Sequence, residues 1–126
     1  MVDMKIAIDT YFSDNWTECP VHYQGMTFTQ PSDAKWIHIM FTPVEREQYG
    51  FGDACATNIA QLRILSYGDT PNASLTLDGD VQTFIENYYW GTGNNVETAE
   101  PDGLGIIDLD NGVFETSTLY TVTSTK

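Results

Sequence analysis

The 126 residues suit a single domain spanning residues 1–126, and an apolar fraction of 41% with 13% aromatics excludes a disordered chain. The net charge is −13, from 18 acidic and five basic residues, which speaks against direct binding to nucleic acid or an anionic membrane because both need lysine and arginine to meet phosphate. No stretch approaches the roughly 20 apolar residues of a membrane span. The two cysteines form no CxxC or Cys-His cluster, so the sequence predicts neither a metal nor a cofactor.

The first predicted element is a helix over residues 4–16. Ile8 and Phe12 are four residues apart, and Trp16 continues the same stripe. Asp3 is a candidate N-cap, because a short carboxylate can accept the free backbone N–H groups of the first turn.

Three strands and two connections follow. Residues 21–23 are β-prone, and residues 28–31 form a turn that ends in proline. Residues 35–41 alternate with apolar groups on both sides, which predicts a central strand with both faces largely covered.

Residues 44–52 are polar and contain two glycines, so we expect a loop. Residues 55–67 predict one long strand, antiparallel to the preceding one.

A second helix is predicted from residue 72 or 74 to residue 88, with Gly91 as its stop. Its apolar stripe consists of Leu77, Val81, Phe84, Ile85 and Tyr88.

The last third predicts short strands at residues 96–99, 106–109 and 113–123, the last two joined around Asp110-Asn111-Gly112. We expect the threonine-rich final strand either to lie at an edge of the sheet or to complete a partner subunit. The fold class that results is α+β, a mostly antiparallel β-sheet with two α-helices packed on one face.

Residues with catalytic potential are few. His22 and His38 lie on predicted strands without a neighbouring nucleophile motif, so a structural role is favoured. The pair Cys19 and Cys55 is compatible with one disulfide but favours two buried thiols. Asp108 and Asp110, with Glu115 nearby, suggest a calcium loop, yet a full ligand set is missing, and a solvated hairpin tip is the better interpretation. The sequence therefore predicts a protein that is not an enzyme.

A run of strands and turns carries a family resemblance. It comprises Val21-His22-Tyr23, Phe28-Thr29-Gln30-Pro31, Trp36-Ile37-His38-Ile39, Pro43 with its polar loop, Phe51-Gly52, Ile59 to Ile64 and Tyr67 to Pro71. Over roughly residues 1–90 this pattern resembles the tail terminator, or tail completion, proteins of long-tailed bacteriophages. The resemblance implies a minor tail protein of the virion, made in the cytoplasm of the host bacterium. It also implies a hexameric ring that caps the head-proximal end of the tail tube, stops tube polymerisation and joins the tail to the head connector or stopper.

That resemblance implies contacts with further copies of the chain, with the tail tube protein and with the head–tail connector. DNA would pass through the lumen without specific binding, and a negative lumen would repel its phosphates. Candidate interface residues lie in the polar loop and in the acidic run of the last third: Glu45, Arg46, Glu47, Tyr49, Phe51, Glu97, Glu100, Asp102, Asp108 and Asp110. The alternatives are a solvated hairpin tip for the loop and, favoured for the acids, a solubilising surface.

Two other functions remain open on the sequence. One is a different ring of the neck, such as a head-completion protein. The other is a small carbohydrate- or ligand-binding domain, in which Trp16, Trp36, Trp90 and the pair Tyr88-Tyr89 would stack on sugars. The competing interpretation of these aromatics is that they build the core.

Overall fold

The computed structural model describes residues 2–48, 56–86, 94–101 and 105–125. In that part of the chain two helices and six strands occur in the order α1 (Val2–Asn15), β1 (Val21–Tyr23), β2 (Trp36–Gln48), β3 (Ala56–Gly68), α2 (Pro71–Glu86), β4 (Asn94–Pro101), β5 (Ile107–Asp108) and β6 (Phe114–Thr125).

The strands form one sheet in the order β1-β2-β3-β6-β4, and β5 also pairs with β6. Only the β1–β2 pair is parallel among the described pairings; β2–β3, β3–β6, β4–β6 and β5–β6 are antiparallel. Both helices pack on the same face of this sheet, which confirms the predicted α+β class.

The helix-packed face carries the larger core. Met4, Ile8 and Phe12 of α1, with Trp16 just after it, are buried together with Leu77, Val81 and Ile85 of α2 against the central strands, so both predicted apolar stripes are confirmed within the described residues. The rings of Tyr11 and Phe84 stack at 4.3 Å and join the two helices. The Tyr11 hydroxyl also donates a hydrogen bond of 2.9 Å to the Phe84 carbonyl oxygen.

The start of α2 is fixed by polar contacts with the sheet. Thr70 Oγ1 accepts the Ala73 N–H at 3.1 Å and acts as the N-cap. The buried Ser74 hydroxyl donates 2.9 Å to the Ser66 carbonyl oxygen. Gly68 allows this close approach, because a Cβ at that position would lie 2.7 Å from the Ser74 nitrogen.

The opposite, helix-free face of the sheet has a smaller core. Ala34, Trp36, Leu65, Tyr67 and Val113 are buried there, and the rings of Trp36 and Tyr67 stack at 4.2 Å. The predicted cover on both sides of residues 36–41 is therefore confirmed for this end of β2, whereas His38 and Met40 are partly exposed.

Two expectations about element bounds were wrong. Residues 44–48 are not a loop, because β2 continues to Gln48 and pairs with β3 after a bulge between Pro43 and Glu45. A paired strand is held by backbone hydrogen bonds, which polar side chains do not prevent. Asp3 is not the N-cap, because α1 begins at Val2. Residues 49–55, with Cys55, and residues 87–93, with Gly91, lie outside the described residues.

The final strand is not an edge strand. β6 lies between β3 on one side and β4 and β5 on the other. Its threonines are compatible with an interior position because Thr116 and Thr118 are buried and hydrogen-bonded to α2. A threonine-rich strand was therefore mistaken for an exposed one.

Candidate interface surfaces

The first predicted interface segment is part of a long strand pair. Glu45, Arg46 and Glu47 lie on β2, where their register partners on β3 are Ile59, Asn58 and Thr57. The last residues packed on the helical side of β2 and β3 are Phe41 and Ala60, so this segment lies beyond them along the pair. Tyr49 and Phe51 are outside the described residues.

The acidic run is spread along one side of β6. Glu97 on β4 is the register partner of Thr121, and Asp108 on β5 is the partner of Phe114. These two β6 positions are seven residues apart, or about 23 Å at the rise of a strand. Glu100 lies on β4 between them, and Asp102 is outside the described residues. The run is therefore a line along the sheet and not one compact patch.

Part of the acidic run lies at the same end of the sheet as the β2 segment. Glu45 pairs with Ile59, Ile59 pairs with Thr123, and Thr123 pairs with Asn95 of β4. Three strand spacings separate Glu45 from Asn95, or about 14 Å. The structure therefore brings the β2 segment and the start of β4 to one end of the sheet, while Asp108 and Asp110 belong to the other end.

The hairpin between β5 and β6 has the geometry of a closed turn. Asp108 Oδ1 accepts the Asp110 N–H at 2.8 Å, and the Leu109 N–H donates 3.0 Å to the Val113 carbonyl oxygen. Asp110 and Gly112 have positive φ of 64° and 80°. The Asp108 carboxylate is thus used within the turn, and no cluster of three His, Cys, Asp or Glu that could hold a metal occurs in the described part of the chain.

The two histidines are brought together on the helix-free face. The rings of His22 and His38 stack at 4.1 Å with an interplanar angle of 8°. His22 Nε2 lies 3.1 Å from the Met26 carbonyl oxygen, to which it donates when that nitrogen carries the proton. Burial, and then the neighbouring His22, lower the pKa of His38. These contacts agree with the structural role predicted for the pair.

Two of the aromatic side chains considered for sugar stacking are built into the cores of the protein. Trp16 and Trp36 are 9% and 8% exposed and belong to the two cores, so neither presents a ring face to a ligand. Residues 88–90 lie outside the described residues. Cys19 is a half-buried free thiol whose pKa is raised by burial.

Two open clefts carry polar side chains. One, of about 390 Å³, lies at the start of α2 and includes Asp33, Lys35, Asp69 and Asp80 in its lining. The other, of about 200 Å³, is on the helix-free face and is lined by Met40, Thr42, Gln61, Arg63 and Leu119. Both offer charged or amide groups for contact with another protein.

A buried carboxylate in α2 was not anticipated from the sequence. Asp78 is 6% exposed and accepts hydrogen bonds from the Thr118 hydroxyl at 2.9 and 3.1 Å and from Gln82 Nε2 at 3.0 Å. The sequence contained one indication of it: Asp78 follows Leu77, a residue of the buried stripe. In the structure Asp78 faces Thr118 of the threonine-rich strand β6.

Comparison with known proteins identifies a shared fold. No protein-family model and no curated protein matches the chain. One solved structure, of a protein that carries no functional name, is 13% identical, covers 94% of each chain and superposes with a TM-score of 0.56. At this identity the likeness extends to the fold alone. None of the helices in the described residues has both the length and the apolar character required to cross a membrane.

Proposed function

We propose that this chain is a structural protein of a tailed bacteriophage. Its subunits would form a hexameric ring at the head-proximal end of the tail tube, where the ring ends tube growth and receives the head connector. The proposal rests on the sequence resemblance over roughly residues 1–90. Among the described residues, the strands that carry it are β1, the start of β2 at Trp36, and β3, and they belong to one sheet.

The observation that supports a ring best is the pair of edges of that sheet. On the edge of β2 that faces away from β3, β1 covers only Ile37 to Ile39, and no other described strand lies along the rest of that edge. At the other side, β4 pairs with β6 and with no further strand among those described. In a ring, one surface of each subunit contacts a different surface of the next subunit. Such contacts would cover both sheet edges, and they form a closed ring when the last subunit meets the first.

Net charge provides a reason for conditional assembly. Each subunit carries −13, and Asp14, Glu18 and Asp80 are exposed around the helices. Repulsion between subunits disfavours the free ring at low ionic strength, whereas salt or an existing tail tube would compensate for it. The same charge disfavours adhesion of DNA in the lumen.

Electron microscopy of tails from a phage that carries this gene, with the protein tagged, tests the proposal. We expect the tag in a six-fold ring at the head-proximal end, and the purified protein to gain mass as salt is raised. A ring at another level of the neck would assign the chain to head completion, while a monomer absent from virions would contradict the proposal.

Termination can be tested separately through the acidic run. We expect neutralisation of Glu97, Glu100, Asp102, Asp108 and Asp110 to Gln or Asn to yield overlong tails when heads are absent, because the exposed side of the ring would no longer repel another tube ring. The matched control neutralises Asp14, Glu18 and Asp80, which lie on or beside the helices. Tails of unchanged length in the first variant would leave these acids as surface charge alone.

A further inference from the structure

The connection between β1 and β2 crosses the helix-free face. Because these strands are parallel, the chain must return along the sheet before β2 begins, and it does so without a helix. We call this connection, residues 24–35, the strap. Gln24 Oε1 accepts the Phe41 N–H at 2.7 Å, which ties the start of the strap to β2, and the Ala34 N–H donates 3.1 Å to the Pro31 carbonyl oxygen, which closes a turn near the end of the strap.

The strap covers an aromatic surface. Ala34 is buried against the Trp36–Tyr67 stack, and Phe28 packs beside it with its ring centroid 6.1 Å from that of Trp36. Trp36 and Tyr67 are therefore less than a tenth exposed, although no helix lies on this face among the described elements. Removal of the strap would expose two large rings on the outer side of the sheet.

The middle of the strap is attached through the histidines. His22 Nε2 contacts the Met26 carbonyl oxygen, and the Phe28 ring stacks parallel to the His22 ring at 4.9 Å. His38, the register partner of His22 on β2, stacks on His22 in turn. We refer to His22 and His38 as the histidine pair.

The geometry points to a pH-dependent latch: the strap stays closed while at least one ring of the histidine pair is neutral, and it opens, uncovering Trp36 and Tyr67, when both rings are charged. A neutral imidazole can stack on a charged one, but two charged rings with centroids 4.1 Å apart repel each other in a partly desolvated place. The repulsion acts directly on His22, which holds Met26 and Phe28 of the strap. This latch belongs to the single chain and does not require ring formation.

The charged groups near the histidine pair come from the strap, β3 and β6. Arg63 of β3 is the register partner of Met40, two residues along β2 from His38, and Lys35 ends the strap; both are positive. Two acids lie on this side. Asp33 Oδ1 accepts the Lys35 N–H at 3.1 Å. Glu115 is the register partner of Tyr67, and burial, followed by Glu115, raises the pKa of Tyr67. Both carboxylates thus have partners other than the histidine rings.

An NMR titration of the full-length chain from pH 8 to pH 5 tests the latch. Imidazole Cε1–H signals report the charge of each histidine, and amide signals of the strap together with the Trp36 indole signal report its closure. We expect the strap signals to follow the second histidine to become charged, with amide exchange in the strap rising about tenfold relative to Ile64. His38→Gln keeps His22 and its contact with Met26 but removes the second charge, so its strap should remain closed over the same range.

The controls make each outcome informative. Phe28→Leu should loosen the strap at every pH and so calibrate the signals of the open form. The latch is rejected if the wild-type strap stays closed while both rings carry charge. It is equally rejected if His38→Gln opens at the wild-type pH. Were His38→Gln to lose its fold, the order of events in the wild-type titration would still decide, because only the latch makes strap opening follow the second protonation.

Discussion

The buried contact between α2 and β6 gives a quantitative prediction. The Thr118 hydroxyl is 1% exposed at the residue level and donates to the Asp78 carboxylate at 2.9 Å. Thr118→Val keeps the shape of the side chain and leaves a buried carboxylate short of a donor. Hydrogen bonds to charged groups contribute about 1.5–3 kcal/mol, so we expect a loss near 2 kcal/mol in the free energy of unfolding. That is a large share of the ~5–15 kcal/mol typical of a domain.

A double-mutant cycle separates the contact from the cost of each replacement. Asp78→Ala should also destabilise, because the Thr118 hydroxyl then loses its acceptor. The double variant should be more stable than the sum of the two single losses by about 1.5 kcal/mol, since it removes both partners of the Thr118–Asp78 contact and leaves only the half-buried Gln82 amide without that acceptor. Urea unfolding at pH 7 followed by circular dichroism measures all four proteins, and Thr121→Val, on the same strand but facing away from α2, is the matched control. If the two single losses sum to the loss measured for the double variant within about 0.5 kcal/mol, this account is refuted.

Three further predictions concern the backbone, alkaline stability and assembly. Gly112→Ala should cost about 1 kcal/mol, because φ is +80° there although space is open. Gly79→Ala in α2, also in open space, should stabilise by about 1 kcal/mol, and thermal unfolding that gave both variants the same sign would contradict one of these two predictions. Burial, followed by the nearby Asp78 carboxylate, raises the pKa of Tyr120. The free energy of unfolding should therefore fall as pH rises above 10. Tyr120→Phe should make that fall smaller, which urea unfolding at pH 8–11 measures. Arg46→Ala with Tyr49→Ala should leave the unfolding curve unchanged and reduce tail completion, and normal infectivity would exclude this segment from the interface.

Local periodicity predicted most of the elements but not their pairing. The stripe through Ile8 and Phe12 and the alternation of residues 36–41 each depend on neighbours in the chain, and both were confirmed. The extension of β2 to Gln48 and the interior position of β6 depend on partners distant in sequence. A polar strand and a polar loop share one composition, so hydrophobic alternation could not distinguish them.

The same limit applies to the candidate surfaces. Glu45 and Asn95 are 50 positions apart in the sequence, and only the register through β3 and β6 places them in one row of the sheet. The histidine pair likewise requires a parallel β1–β2 register. No short-range pattern encodes that register, because it is set by the return path of the strap.

The two faces of the sheet are stabilised by different kinds of contact, so we expect acid to affect one face and not the other. The helical face combines an apolar core with buried hydrogen bonds from Ser74 and Asp78, none of which involves a histidine. The helix-free face relies on stacked rings and on the strap. Mild acid therefore acts on a segment whose release leaves the helix-packed core intact. A titration that moves the Trp36 signal but leaves those of Ile64 and Val81 unchanged would show that the two faces respond independently, whereas simultaneous loss of all three would mean that the strap and the core unfold as one unit.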